Sequence, residues 1–294
     1  MGWWVQEIYQ NEGAAALLSW VFWVILSISL HELAHGVVAI WNGDRTPREL
    51  GHMTLNPVVH MGIPSLLVFA VVGIAWGMMP TDPSRYRRHR LGVITVSAAG
   101  PALNLLLAVL CLGGAGVWLW AAVTGAVDVS DTTRVNVFQF LYTGGWLNIV
   151  LAAFNMLPVP PLDGSRVLGG IFPPLERFFM QPGIQAYGMI VVLILFFTSA
   201  WRPLLDGASR ESLLVIGRVA HALPDSGERQ TRNDSLDLLF ALTSPEFREL
   251  MRAKAGSAPE GWSGPGAAEG GTGDGVDAPL PPDARGAEPD APRR

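Results

Sequence analysis

The sequence predicts an all-α polytopic membrane protein: a helical bundle of about four to six membrane segments, with a re-entrant hairpin and a disordered C-terminal tail. Three observations carry this expectation. Of the 294 residues, 50% are hydrophobic and only 15% are charged, where soluble domains carry about 25% charged residues. The mean hydropathy is positive, +0.32. The charges that exist are also unevenly placed, with none between Gly13 and Leu30 or between Leu91 and Val127. The net charge of −5 owes much to the tail, where seven acids after Gly256 face three arginines. No basic stripe suits a nucleic-acid partner. The single cysteine, Cys111, excludes an intramolecular disulfide framework.

A bilayer core about 30 Å thick needs about 20 apolar residues of helix at 1.5 Å each. Residues 14–40 form the first such run, interrupted only by serines and by a His/Glu group near its end. The N-terminal 12 residues have no Lys or Arg, so they lack the basic start of a cleaved signal and the first run reads as a retained membrane helix. The second run, 91–123, is over-long, and Gly113, Gly114 and Gly116 suggest a bend or exit point. Residues 138–157 and 184–200 form the third and fourth runs, and 212–223 reads as an amphipathic surface helix or a further short membrane segment.

A fifth apolar stretch, 64–79, is too short for an ordinary crossing. Arg45 and Arg48 precede it, while Arg85, Arg87, Arg88 and Arg90 follow it. The positive-inside rule puts both flanks on the cytoplasmic side, so a re-entrant hairpin turning near Gly73 and Gly77 is expected rather than a span. The same rule places the N-terminus outside and the inner ends of the first two helices in the cytoplasm. From about residue 255 the chain is dominated by Gly, Pro, Ala and acids, a composition that cannot bury enough apolar surface to order itself. The expected organisation is a membrane-embedded core at 1–205, a helical or surface-associated extension at 206–254, and a disordered tail at 255–294.

The chemistry starts at His31-Glu32-Leu33-Ala34-His35. Residues four apart lie on one helix face, so both imidazoles can reach one metal ion. Glu32 projects about 100° away on the wheel, a position from which it can hold a water beside the metal. This HExxH pattern is a zinc-protease signature, with the glutamate as general base. Ionisable groups inside an apolar helix cost at least about 2.5 kcal/mol to insert, so a shared partner is expected. A catalytic zinc takes a third protein ligand, and the sequence after His35 does not supply one. Asp163 is the best candidate, in Asn155-Met156-Leu157-Pro158-Val159-Pro160-Pro161-Leu162-Asp163-Gly164. Its prolines break the third helix and leave an unwound segment that ends in a carboxylate backed by a flexible glycine. Taken locally, an ordinary turn at a helix exit explains the same residues. A third cluster, Gly100-Pro101-Ala102-Leu103-Asn104, follows the small residues Ala98 and Ala99. Small residues allow close helix approach, and the Asn104 amide must find a partner on a neighbouring helix or on a substrate backbone.

Together these clusters resemble the site-2 protease family of intramembrane zinc metalloproteases, over residues 27–36, 53–60, 98–108 and 155–164. The resemblance implies one zinc ion held by His31, His35 and Asp163, with Glu32 as catalytic base, and it implies substrate-binding or site-organising roles for Asn104 and Asn155. Thr54-Leu55-Asn56-Pro57 and His60 resemble a stretch of the compact bacterial and archaeal branch that has no inserted PDZ domain, which adds Asn56 and His60 to the site-organising set. The short loop at 124–137 leaves no room for such a domain. Two departures concern substrate handling: Trp76-Gly77-Met78-Met79-Pro80 has no lysine, and Gly62-Ile63-Pro64 stands where an acid commonly follows the histidine.

The implied function is hydrolysis of peptide bonds in transmembrane or membrane-anchored protein substrates. The implied location is the cytoplasmic membrane of a prokaryote, with the active site toward the cytoplasm and the lipid bilayer as the other partner. A transmembrane substrate must unwind to be cut, and the hairpin is expected to offer it an edge strand. The alternative is a non-catalytic, metal-dependent membrane scaffold that binds transmembrane helices. A zinc transporter is a third reading, disfavoured by the lack of further acids or histidines deep in the other helices.

Overall fold

Each charge-free run becomes a long helix, and the breaks between them decide where the functional groups meet. The computed structural model describes residues 3–198 and 201–223, all within one compact unit, Met1–Leu242. The expected tail at 255–294, and the extension beyond residue 223, lie outside the described residues. In chain order the elements are α1 (Trp4–Glu12), α2 (Ala14–Trp41), α3 (Thr46–Glu49), α4 (Pro57–Val72), a 3-10 turn (Pro83–Arg85), α5 (His89–Val123), α6 (Asp131–Asn155), α7 (Asp163–Ile171), α8 (Pro173–Phe179), α9 (Pro182–Phe197) and α10 (Arg202–Ala222). Helices α2, α5 and α6 are long and apolar enough to cross a membrane, and the α8–α9 pair, bent by 79°, makes a fourth span if taken as one. This is the all-α membrane bundle that the composition predicts.

α5 is the hub, packed against α2, α6, α7 and α10, while α2 and α6 also pack on each other. Helices in lipid approach closely where small residues face a partner. At Gly144 on α6 a Cβ would meet the Trp23 ring of α2 at 2.3 Å, and at Gly145 it would meet Leu112 of α5 at the same distance. The Trp23 indole donates to the Phe140 carbonyl at 2.8 Å, which satisfies its N–H inside the bundle. One apolar cluster gathers Trp23, Val24, Ile28, Met61, Phe69, Cys111 and Leu147. A second gathers Leu112, Ala115, Leu119, Phe138 and Ile216, joining α10 to α5 and α6.

Three expectations about element limits are corrected. The glycines at 113, 114 and 116 do not bend or end the second helix, which runs unbroken for 35 residues. Gly116 instead lets Val219 of α10 lie against α5, where a Cβ would be 2.7 Å from it. The third helix starts at Asp131 rather than 138, because Ser130 caps it by accepting from the Thr133 N–H at 3.3 Å. The preceding loop therefore shrinks to residues 124–130. The stretch at 212–223 belongs to one longer helix, α10, whose Ser212 and Ile216 are fully buried against the bundle.

The 64–79 stretch folds back on itself as a hairpin. α4 begins at Pro57, and the Asn56 side chain caps it by accepting from the Val58 N–H. It kinks at Gly62 (φ 68) and ends at Gly73, whose left-handed φ of 83 makes the turn. Residues 74–80 then return without helix. The Met78 N–H donates to the His60 carbonyl at 2.9 Å, and the buried Ser65 hydroxyl both donates to the Trp76 carbonyl (2.7 Å) and accepts from the Trp76 N–H (2.9 Å). Both hairpin ends meet on one side, as the flanking arginines imply. The Arg87 N–H donates to the Asn42 carbonyl, and Asp44, fully buried, accepts from the Asp82 N–H at 2.7 Å. At the other extreme the N-terminal α1 clasps the hairpin tip, with the Trp3 indole donating to the Val71 carbonyl and the Trp4 ring 5.4 Å from Phe69.

Candidate metal centre

The centre is assembled from α2, α5 and the start of α7. His31, Glu32 and His35 lie on the inward face of α2 and are buried, at 6%, 8% and 7% exposure. The four-residue spacing brings the two imidazoles edge to face, with ring centroids 4.6 Å apart and Nε2 atoms 3.0 Å apart. Asp163 is the first residue of α7. Its Oδ2 lies 3.1 Å from His31 Nε2 and 3.3 Å from His35 Nε2. Pro158, Pro160 and Pro161 keep the chain from continuing α6 and turn it back toward the bundle. Gly164 serves space rather than flexibility: a Cβ there would meet the Met156 and Leu157 carbonyls at 2.2 and 2.5 Å, so only glycine lets Asp163 sit against the end of α6.

The far ring nitrogens fix the tautomers. His35 Nδ1 faces the Val96 carbonyl at 2.6 Å, and a carbonyl only accepts, so Nδ1 carries the proton and Nε2 presents a lone pair. His31 Nδ1 faces Asn104 Oδ1 at 2.5 Å with the same result. Metal-bound histidines are held this way, by a second partner that orients the ring.

Two lone pairs and a carboxylate oxygen thus converge, and the fit to zinc can be tested by spacing. Four donors about 2.0–2.1 Å from a tetrahedral zinc stand about 3.3–3.4 Å from one another, against the observed 3.0, 3.1 and 3.3 Å. α5 packs closely on the two rings. A Cβ on Gly100 would lie 2.5 Å from both Nε2 atoms and from His31 Cε1, so only glycine lets α5 come this close to the imidazole pair. Among the described residues His31, His35 and Asp163 form the group able to hold a metal. The donor set therefore fits one Zn2+.

The remaining residues singled out in the sequence are placed less centrally. Glu32 lies beside the returning hairpin, where a Cβ on Gly77 would meet its Cγ at 2.6 Å. Asn155 donates to the Leu151 carbonyl one turn back on its own helix. Asn56 caps α4. His60 sits at the hairpin base, buried, with Nε2 on the Thr54 carbonyl at 2.6 Å. Asn148 of α6, with no signal in the sequence, also shapes the centre by accepting from Asn104 Nδ2 at 2.6 Å, and Gly77, expected only as a turn glycine, makes room for Glu32 by its missing side chain.

A buried His/His/Asp cluster beside a glutamate, inside a membrane bundle, defines a membrane-embedded zinc metalloprotease. The family model described as Peptidase family M50 matches residues 19–199, which include every residue of the cluster, and the chain belongs to that family. Among its relatives named as zinc metalloproteases, YwhC of Bacillus subtilis is 35% identical over 208 residues, covering 67% of this chain and 89% of YwhC. Rip2 of Mycolicibacterium smegmatis is 30% identical, covering 60% of this chain and 65% of Rip2. MJ0392 of Methanocaldococcus jannaschii is 24% identical, covering 63% of this chain and 46% of MJ0392. No solved structure matches the chain significantly. Family membership and the metal cluster together decide for an enzyme over a scaffold.

Proposed function

We propose that the chain hydrolyses peptide bonds of transmembrane or membrane-anchored protein substrates, with His31, His35 and Asp163 as zinc ligands and Glu32 as general base. The observation that supports this best is the convergence of two imidazole nitrogens and one carboxylate oxygen within 3.3 Å, with the buried Glu32 next to His31 in the chain. A zinc ion held by His31, His35 and Asp163 would supply Lewis acidity toward a scissile carbonyl and an attacking water. Glu32 takes the proton from that water and delivers it to the leaving amine. Asn104 holds His31 in the tautomer that leaves Nε2 bare.

The hairpin supplies the substrate surface. Trp76 and Met78 direct their N–H groups at Ser65 and His60 of α4, so Gly77 between them turns toward Glu32. A substrate segment unwound from its helix must find new partners for its N–H and C=O groups, and strand pairing along 74–80 brings its backbone past the glutamate. Asn56 and His60 act here by shaping the hairpin base, and Asn155 by holding the end of α6. The arginine-rich ends of the hairpin support a location of the centre toward the cytoplasmic face of a prokaryotic cytoplasmic membrane.

The test pairs metal content with cleavage of a membrane-anchored reporter in the detergent-purified and reconstituted protein. Wild type is expected to carry one zinc per chain and Asp163→Ala to lose it. Glu32→Gln is expected to keep the zinc and lose cleavage by about 10²–10⁴-fold, the usual worth of a general base. Full activity in Glu32→Gln overturns the mechanism.

A further inference from the structure

The hydrogen-bond chain behind His31 does not end at Asn104. Asn104 Nδ2 donates to Asn148 Oδ1 at 2.6 Å, across the α5–α6 interface. Asn148 Nδ2 in turn donates to the Gly144 carbonyl at 2.8 Å and to the Ser27 hydroxyl of α2 at 2.9 Å. Asn104, Asn148 and Ser27 are all at 0% exposure, so no bulk water competes for these bonds.

The order of donors and acceptors along this chain is forced from its far end. The Gly144 carbonyl belongs to the helix backbone and can only accept, so the Asn148 amide must turn its nitrogen toward it. Its oxygen then faces Asn104, and only the nitrogen of Asn104 can answer it. That leaves the Asn104 oxygen facing His31, and an oxygen there requires the proton on Nδ1. Reversing either amide would set nitrogen against nitrogen in one contact and oxygen against oxygen in the other, in a site where an unmet polar group costs its full desolvation.

Resting on the metal-site reading above, we infer that Asn148 is a positioning residue for that site: a backbone carbonyl of α6, read through two buried amides, fixes the bare nitrogen of His31. His35 takes the same instruction directly from the Val96 carbonyl. His31 takes it over two side chains, which ties its orientation to the packing of α2, α5 and α6 together. Asn148 touches neither substrate nor metal and acts only through Asn104. Ser27 is a secondary contact, since the Gly144 carbonyl alone orients the amide.

The experiment measures zinc affinity of the full-length, detergent-purified protein by chelator competition, with apo-protein melting alongside. Asn148→Leu keeps the volume and removes the relay, and it is expected to weaken zinc about 10–100-fold, the cost typical of losing an outer partner of a metal ligand. Its melting midpoint is expected to stay within a few degrees of wild type. Asn148→Asp, entering as the neutral acid, can donate to Gly144 with one oxygen and accept from Asn104 with the other, and it is expected to recover most of the affinity. Leu147→Ala, a core truncation one residue away, is the control: its melting midpoint falls while its zinc affinity holds within a few-fold. Wild-type affinity in Asn148→Leu, or equal weakening in Leu147→Ala, overturns the inference and leaves the metal site standing. If His31→Ala also leaves zinc binding unchanged, the metal-site reading fails and takes this inference with it.

Discussion

His31 Nε2 and His35 Nε2 face each other at 3.0 Å, and both rings spend their proton on the opposite nitrogen. With Asp163 Oδ2 3.1 and 3.3 Å away, three electron-rich atoms share one small space when both rings are neutral. Such an arrangement repels itself unless a cation occupies it. Removing zinc with a chelator is therefore expected to lower the melting midpoint reversibly. A ligand at a thousand times its Kd stabilises by about 4 kcal/mol, which amounts to several degrees in a domain of this size. An unchanged melting curve after verified metal removal would count against the fit described here.

Gly100 is the second point at which the site can be challenged. A methyl group there would stand 2.5 Å from both imidazole nitrogens and from His31 Cε1, so the ring pair would have to move apart. Gly100→Ala is expected to abolish stoichiometric zinc and cleavage. Gly113→Ala lies on the same helix with nothing within 4 Å of the added carbon, and it is expected to leave both unchanged, because alanine suits a helix better than glycine. Elemental analysis of the two purified variants decides; full zinc occupancy in Gly100→Ala refutes the placement.

Much of this was legible in the sequence, and the parts that were not share a cause. Charge-free length marks α2, α5 and α6 because lipid tolerates few other compositions. The 31/35 spacing marks the imidazole pair because helix geometry fixes what residues four apart can do. Arginines on both flanks mark the hairpin, since the same charge preference acts at each end. What was missed depends on tertiary neighbours. Asn148 stands in an apolar run with no spacing that points to Asn104, 44 residues earlier. Gly100 and Gly164 read as packing or flexible glycines, yet each is required because a particular atom lies where its side chain would be. Helix α1 was unannounced because it gains its place from Trp3 and Trp4 on the hairpin tip, a contact that no local pattern encodes.

Asp44 joins the two ends of the hairpin. One carboxylate oxygen accepts from both the Thr46 N–H (2.9 Å) and its hydroxyl, and the other accepts from the Asp82 N–H (2.7 Å). Asp44→Ala strands these donors in a buried spot, at about 1–3 kcal/mol each where water cannot replace the partner. The expected result is a lower melting midpoint with faster proteolytic cutting near residues 80–88, while zinc content is retained. A variant as resistant as wild type would show that the remaining contacts, among them the ion pair of Arg85 and Glu49 at 2.7 Å, suffice to close the hairpin.

Ser65 does for the returning strand what a neighbouring strand would do. Its hydroxyl donates to the Trp76 carbonyl and accepts from the Trp76 N–H, which pins the segment one residue before the glycine that lies against Glu32. Ser65→Ala removes both bonds without adding bulk and leaves two backbone groups of Trp76 unpaired beside α4. Each such group costs about 1–3 kcal/mol, enough for residues 74–79 to leave their register part of the time. Amide hydrogen exchange in that segment is expected to accelerate, and kcat/KM for a membrane-anchored reporter to fall about tenfold, since 1.4 kcal/mol of lost positioning is one decade of rate. Zinc content is expected to stay at one per chain, because Ser65 touches none of the proposed ligands. Ser65→Thr keeps the hydroxyl and is expected to restore both readouts in part. Unchanged exchange at 74–79 in Ser65→Ala would mean that the Met78–His60 bond holds the strand alone, and the variant's loss of cleavage would then need another cause.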